Sequence, residues 1–389
     1  MKNKVVILSS GHPPKDERIF SKIGYSLSTN GYSVVICTST EELHASDKSI
    51  FFDCFDGEKL TKREKINKFY SLLSSHSPDI IISSEPLPIL AAHQFKKKVK
   101  SSCKIISDIT EWYPENVAFK YKGMKKWFTY FVLYLFNIYA TNLADLLIIG
   151  EEGKKKRYDV FAPFKRKEIV SYFPRLEYFP YSIFTSSKDE LNLGFTGILN
   201  ESRGFHIFLC STAILKKKHP HLKLKLTIVG LFLTDKDEEF FSAWRLANPD
   251  ITIDFSTWLP YEQLKTKLSR VDLFLDLREL NFVFNNSLPI KIFEYMALGK
   301  PVIYSEAASL KNFFGDFSFG KLVDPMNTEE IISAIEYFLF HPEDIARQGM
   351  LGRKMVEEKY QWSFCETKLL NYLKKVDPLF PAEKHPVSN

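Results

Sequence analysis

Short apolar runs rich in Val and Ile alternate with stretches of helical periodicity along almost the whole chain. Runs at 4–9, Val34–Cys37, Asp79–Ser83, Lys104–Asp108 and Ile169–Tyr172 are spaced by predicted helices that reach Thr29, span Lys62–Ser75 and end in KKKVK at 96–100. The alternation resumes at Leu191 and continues through Leu224–Gly230, Ile251–Phe255, Val271–Leu275, Val302–Ile303 and Gly320–Val323. A helix between two strands returns the chain to the same edge direction, so the strands pair in parallel and helices cover both faces of the sheet. The fold class is therefore α/β and doubly wound. At 389 residues the chain holds two or more domains. The composition break at 176–189, rich in Pro, Ser and aromatics, is the predicted linker between a domain at 1–180 and one at 190–360.

The stretch Asn285–Ser305, NNSLPIKIFEYMALGKPVIYS, carries the clearest local chemistry. Ser287 is a predicted N-cap and Pro289 fits the first turn, with a helix over 290–298, Gly299 as its stop and a buried strand opening at Val302. Ile290, Phe293 and Ala297 share one face, predicted to be core. Lys291, Glu294, Tyr295 and Leu298 fall on another at i, i+3, i+4 and i+7. Free N–H groups at a helix start and a Lys one turn in suit a diphosphate. An ionised Glu beside them accepts two hydroxyl hydrogen bonds, as a ribose diol would offer. The alternative for this helix alone is a surface Lys291–Glu294 pair.

Within that stretch LPIKIFEYMALGKPVI resembles the P-x-K-x-F-E-Y-M-A-x-G-K-P-V-I block of the family-4 retaining glycosyltransferases. The resemblance implies the GT-B fold, two doubly wound Rossmann-like domains facing a central cleft, and a final helix at 361–376 that returns to the first domain. It implies that Glu294 holds the nucleotide ribose. The family's first Glu falls on Asn286, which leaves the identity of the sugar open. LNLGFTGILNESRGFH resembles the family's G-x-L-x-x-x-(K/R)-G block, in which Arg203 takes the place of the second diphosphate-binding cation and Ile198 that of the first. The implied donor site is Gly197, Arg203, Asn286, Ser287, Leu288, Lys291 and Glu294, with Arg203, Lys291 and Glu294 carrying catalysis. SSGHPPKDERIFSK resembles the S-x-x-H-P-P-x-D-x-R-I-F-x-K opening of many members, and DITEWYPEN the D-x-H-E-x-x-P-E block. These supply candidate acceptor or cleft residues: Gly11, His12, Asp16, Arg18, Lys22, Asp108, Thr110 (at the family's His position) and Glu111, with Glu115 beyond. Turn and helix-start chemistry explains Asp16 equally well, and helix capping explains Asp108.

The resemblance thus implies a retaining glycosyltransferase that moves a sugar from a nucleotide diphosphate sugar to a glycan or lipid-linked acceptor. No metal or other cofactor is implied, since basic groups stand where a D-x-D site would. The alternatives are a nucleotide-sugar epimerase or phosphorylase on the same fold, or a non-catalytic GT-B partner protein. An NAD-binding oxidoreductase is disfavoured, because the loop after the first strand has one Gly and two prolines in place of a Gly fingerprint. No nucleic-acid module is present. Cys37, Cys54, Cys103, Cys210 and Cys365 are scattered, as in a cytoplasmic chain with reduced thiols, and MKNKVVILSSGH runs directly into a strand without a signal peptide. Residues 1–180 hold about +8 and the remainder about −2 of the net +6. Lysines at 120–126 adjoin WFTYFVLYLF, a run too interrupted by Asn137, Thr141 and Asn142 to span a bilayer. Peripheral contact with an anionic membrane, through Trp127, Phe128, Tyr130 and Phe131, competes there with a plain core role for the aromatics. The tail PAEKHPVSN is expected to be disordered.

Overall fold

The computed structural model describes residues 3–181 and 189–375. They form two compact units: residues up to Tyr172 together with those from Trp362 on, and Phe173–Gln361. The predicted linker falls partly outside the described residues, as does the C-terminal tail; Leu176–Tyr178 forms a short 3-10 turn.

The first unit is built on eight strands: β1 (Lys4–Ser9), β2 (Ser33–Thr38), β3 (Leu43–Asp47), β4 (Ile50–Cys54), β5 (Ile80–Ser83), β6 (Lys104–Ile109), β7 (Leu146–Ile149) and β8 (Arg166–Ile169). Their order is β3-β4-β2-β1-β5-β6-β7-β8. Val5 pairs with Val34 on one side and Ile80 on the other, both in parallel. The central strands are buried on both faces, as helices covering both faces require. Two expectations fail at the edges. The sheet is not wholly parallel, because β3 runs antiparallel to β4 in an unforeseen hairpin. Its strand LHASD lies largely in solvent and has no apolar run to mark it. The last strand is RKEI at 166–169, three residues before the predicted Ile169–Tyr172. An edge strand needs little burial, so charged residues suffice there. The apolar Val170, Tyr172 and Phe173 are buried without extending the strand. The helix Trp362–Lys374 belongs to this unit, where Trp362 Nε1 donates to Ser26 Oγ at 2.9 Å.

The second unit holds β9 (Glu190–Ile198), β10 (Lys223–Leu231), β11 (Thr252–Ser256), β12 (Leu273–Asp276), β13 (Val302–Ser305) and β14 (Gly320–Val323), all parallel, in the order β11-β10-β9-β12-β13-β14. In each unit one pair of neighbours, β1/β5 and β9/β12, marks where successive crossovers change direction. Loops leaving the carboxyl ends of such a pair diverge and open a crevice.

The helix Ile290–Ala297 departs from its predicted amphipathic form. From Ile292 to Ala297 every residue is buried, Glu294 included. Phe293 packs between Phe173 and Tyr360, at ring distances of 4.7 and 5.3 Å. On another side the helix Pro342–Lys359 approaches so closely that a Cβ on Gly349 would collide with the Gly299 carbonyl. Gly299 itself takes φ +72° and ends the helix, as predicted. Ser287 is not its cap: its Oγ donates back to Val283 O at 2.7 Å, and Pro289 occupies the cap position. The helix Thr328–Phe340 is capped by Asn327, which accepts from Glu330 N.

Candidate functional site

In the second unit the charged residues gather at the β9/β12 divergence. Thr196 stands near the end of β9 and receives a hydrogen bond from Lys291 Nζ at 2.9 Å. Its Oγ1 also lies 2.8 Å from the Tyr295 hydroxyl, and the Tyr295 ring stacks on Phe274 of β12 at 4.0 Å. One turn of the Ile290–Ala297 helix is thereby clamped to two strands, which fixes where the ammonium points. Gly197, next to Thr196, takes φ +120°, and a Cβ there would sit 2.5 Å from Lys291 Nζ. Only glycine allows both the backbone turn and the close approach of the Lys.

Burial pulls Lys291 down to about 8, with Arg278 and Arg203 acting in the same direction and Glu294 and Asp276 against it. Five groups therefore share one field: Arg203, Asp276, Arg278, Lys291 and Glu294. Arg278 was not singled out in the sequence. It is buried and forks onto Asp276 through Nε at 2.6 Å and Nη2 at 2.7 Å. The signal lay in D-x-R at a strand end, because alternate strand residues share a face. Phe284 takes Arg203 at 4.7 Å and Arg278 at 5.6 Å from its ring centroid, an aromatic face that two guanidinium planes can approach. Arg203 and Lys291 are thus not the sole cations here, although Asp276 neutralises Arg278. The Arg203 loop is held by Asn200, whose Oδ1 accepts from Arg203 N at 2.9 Å, and by Glu279 N, which donates to Ser202 O at 3.1 Å.

Gly197, Arg203, Lys291 and Glu294 are brought together at this end of the sheet. Asn286 and Ser287 instead bond back to the short helix Phe282–Asn286, with Asn286 exposed and its Nδ2 donating to Phe282 O at 2.8 Å. Leu288 is half-buried between that helix and the next. No side chain caps the helix Ile290–Ala297, so its first-turn N–H groups face the site without a capping side-chain acceptor.

The first unit has its own charged cluster, at the β1/β5 divergence. Ser9 Oγ and Ser10 N donate to the two Glu85 oxygens at 2.7 and 2.8 Å. His12 Nδ1 lies 3.3 Å from Asp16 and its Nε2 3.6 Å from Glu85. Burial would lower the imidazole, yet Asp16 and Glu85 outweigh it and the net shift is upward. Asp16 caps Arg18 N and Ile19 N, and although burial opposes it, His12 brings it to about 2. The helix Glu17–Gly24 has wide π-type turns and buries Arg18 and Lys22 together. Arg18 Nε lies 3.3 Å from Asp108, which also accepts from the Tyr172 hydroxyl. The capping reading of Asp108 is therefore wrong: it sits inside β6 as the buried partner of an Arg. Burial raises its pKa against the pull of Arg18 and Tyr172. Lys22 is fully enclosed and donates to Tyr172 O at 2.7 Å, a structural role. Gly11 lies against Glu85. Thr110 serves through its carbonyl, which accepts from Lys154, while Glu111 is exposed and acts on Arg18 only through its charge. Glu115 is a buried staple, forked by Arg157 at 2.6 and 2.8 Å. Glu85 was missed, because SSEPLP reads as an ordinary strand end.

Residues 183–355 match the family model described as glycosyl transferases group 1. No curated protein matches the chain in sequence. Among solved structures the chain is similar to sucrose-phosphate synthase from Thermosynechococcus elongatus, at TM-score 0.75 and 14% identity over 98% of this chain and 100% of that one. Anabaena HepE in complex with UDP and glucose superposes at TM-score 0.69 and 11% identity, over 95% and 99%. A glycosyltransferase from Rickettsia africae does so at 0.67 and 12%, over 96% and 98%. At these identities the likeness shows the fold, two parallel-sheet Rossmann-like units of the GT-B type.

Proposed function

Because residues 183–355 form a group 1 glycosyltransferase domain in a chain of GT-B fold, we propose that the protein is a retaining glycosyltransferase. It takes a sugar from a nucleotide diphosphate sugar and passes it to a glycan or lipid-linked saccharide. The observation that carries this reading is the Lys291–Thr196–Gly197 arrangement. A half-buried ammonium is held on the Thr196 hydroxyl, beside Arg203 and uncapped helix N–H groups. Such a site costs stability when empty and suits a diphosphate when filled.

In this reading Lys291, Arg203 and the helix N-terminus stabilise the diphosphate as negative charge builds on it during departure from the sugar. Arg278, held by Asp276, orients Phe284 and sets the field without spending its own charge on the donor. Glu294 accepts hydrogen bonds from the ribose. No metal enters, since cations of the chain stand where the leaving diphosphate develops charge. His12 and Glu85, half-exposed in the first unit, are the groups offered to acceptor hydroxyls. HepE was solved with UDP and glucose, so a uridine nucleotide is the first donor to test.

The test is a thermal-shift and urea-melt screen against UDP-, GDP- and ADP-sugars, followed by analysis of the product's anomeric configuration. A true donor at a hundredfold excess over its Kd raises stability by about 2.7 kcal/mol. Glu294→Ala removes about 1–3 kcal/mol of donor binding with the fold intact. Unchanged affinity in that variant would overturn the site, and an inverted product the retaining assignment.

A further inference from the structure

The helix Gly123–Leu143 turns a long apolar stripe to solvent. Met124, Trp127, Phe128, Phe131, Val132, Leu135 and Tyr139 recur at the spacing of one helix face and are all exposed, from 89% at Met124 to 58% at Tyr139 for the largest. The opposite face is the one that packs: Asn137, Ala140 and Thr141 are buried, and Tyr130 and Tyr134 stack toward Phe119 and Phe161. Tyr130 thus leaves the set of candidate membrane-contacting residues, and Met124, Val132, Leu135 and Tyr139 join it. A face this continuous on a folded domain marks an interaction surface.

Its charge surroundings say what covers it. No Asp or Glu occurs from residue 116 to 144, while Lys120, Lys122, Lys125 and Lys126 crowd the start of the helix. Lysines in a first turn oppose the helix dipole, so they do not serve the helix itself. Lys120, Lys122 and Lys125 are exposed, with Lys125 lying over Tyr121 at 4.3 Å. The far end repeats the motif. Asn142 Nδ2 donates to Phe161 O at 2.9 Å, tying down the turn that carries Phe164, 98% exposed, beside Lys165 and Arg166. Aromatic and aliphatic side chains flanked by cations at both ends match the boundary between acyl chains and anionic headgroups. No helix among the described residues is long and apolar enough to cross a membrane, so the helix would lie along the surface.

We propose that the exposed face of the Gly123–Leu143 helix docks this protein onto an anionic phospholipid bilayer. The inference stands apart from the donor reading, since none of these residues touches the charged clusters. It is tested with the full chain and vesicles of phosphatidylcholine, alone or with about 30% phosphatidylglycerol. The wild type co-sediments with the anionic vesicles and is released by salt. The variants K120E/K122E/K125E and W127S/F128S/F131S each lower partitioning at least about tenfold while melting temperature and nucleotide binding stay as in the wild type. Equal binding to neutral and anionic vesicles, or full binding by either variant, overturns the proposal. So does a solution dimer that W127S/F128S/F131S dissolves while the wild type ignores vesicles, because a second copy then covers the face.

Discussion

Lys291 works against the stability of the unit that carries it, and this can be measured. Burial holds its ammonium at about 8, below the ordinary 10.5. Between those values the unfolded chain binds more protons than the native one, so stability rises with pH across the window. Below pH 8 the whole penalty is present, and at 1.36 kcal/mol per unit it comes to ~3 kcal/mol. Lys291→Met keeps the stem and removes the charge. Its lost hydrogen bond leaves Thr196 still paired with the Tyr295 hydroxyl. In urea titrations at about pH 7 the variant should therefore be more stable than the wild type by ~2–3 kcal/mol, and the gap should close as pH nears 10. Nucleotide binding should move the other way. An anionic diphosphate requires the protonated Lys, so wild-type affinity for UDP holds level below pH 8 and falls about tenfold per unit above it. The variant binds weakly with no such slope. A variant less stable than the wild type near neutrality, or a gap of equal size at both pH values, would refute the reasoning.

Three other outcomes follow from the same geometry. Gly197→Ala forces a Cβ onto the Lys291 ammonium at a backbone angle that favours glycine, costing about 1–3 kcal/mol in a thermal melt and displacing the Lys, so UDP affinity should drop with it. Arg203→Ala should cut transfer by about tenfold or more, Arg203→Lys should restore only part because a point charge lacks the planar fork, and EDTA should leave the wild-type rate unchanged in a discontinuous transfer assay. Arg18→Met strands the Asp108 carboxylate inside β6 and should cost ~3 kcal/mol in urea; adding Asp108→Asn should recover most of that loss, and a double variant as unstable as the single one would show that the pair is not what holds the strand.

The parallel core was legible because its strands are buried on both faces and so must be written as unbroken Val and Ile runs. The edges were not, for the same reason reversed: LHASD and RKEI satisfy a sheet with little burial, and charged or small residues leave no period to read. Arg203, Lys291 and Glu294 could be picked out because a string of motif residues surrounds each. Glu85 could not, since it acquires its meaning from Ser9 and Ser10 on another element, while the Asp276–Arg278 pair was marked only by D-x-R at a strand end. Asn286 and Ser287 failed differently. Both are polar residues just ahead of the predicted helix, but the five-residue helix Phe282–Asn286 ends on them and absorbs their hydrogen bonds.

The two charged clusters share one logic. Each occupies the divergence of two central parallel strands, where backbone N–H groups and side chains from separate loops converge without a strand passing between them. Each also holds charges that burial disfavours: Lys291 in the second unit, Asp108 in the first. Arg18 compensates Asp108 through an ion pair, and the Tyr172 hydroxyl donates to the same carboxylate, both within the unit. Lys291 feels Glu294 and Asp276 through their charge, but its ammonium hydrogen-bonds the Thr196 hydroxyl, and Arg278 forks onto Asp276. On the proposed function, the difference separates a cluster that folding supplies with its own counter-charge from one that a donor diphosphate would complete. A fold selected for stability alone would resolve the second as it resolved the first, so the stability that Lys291 forgoes points to the ligand that restores it.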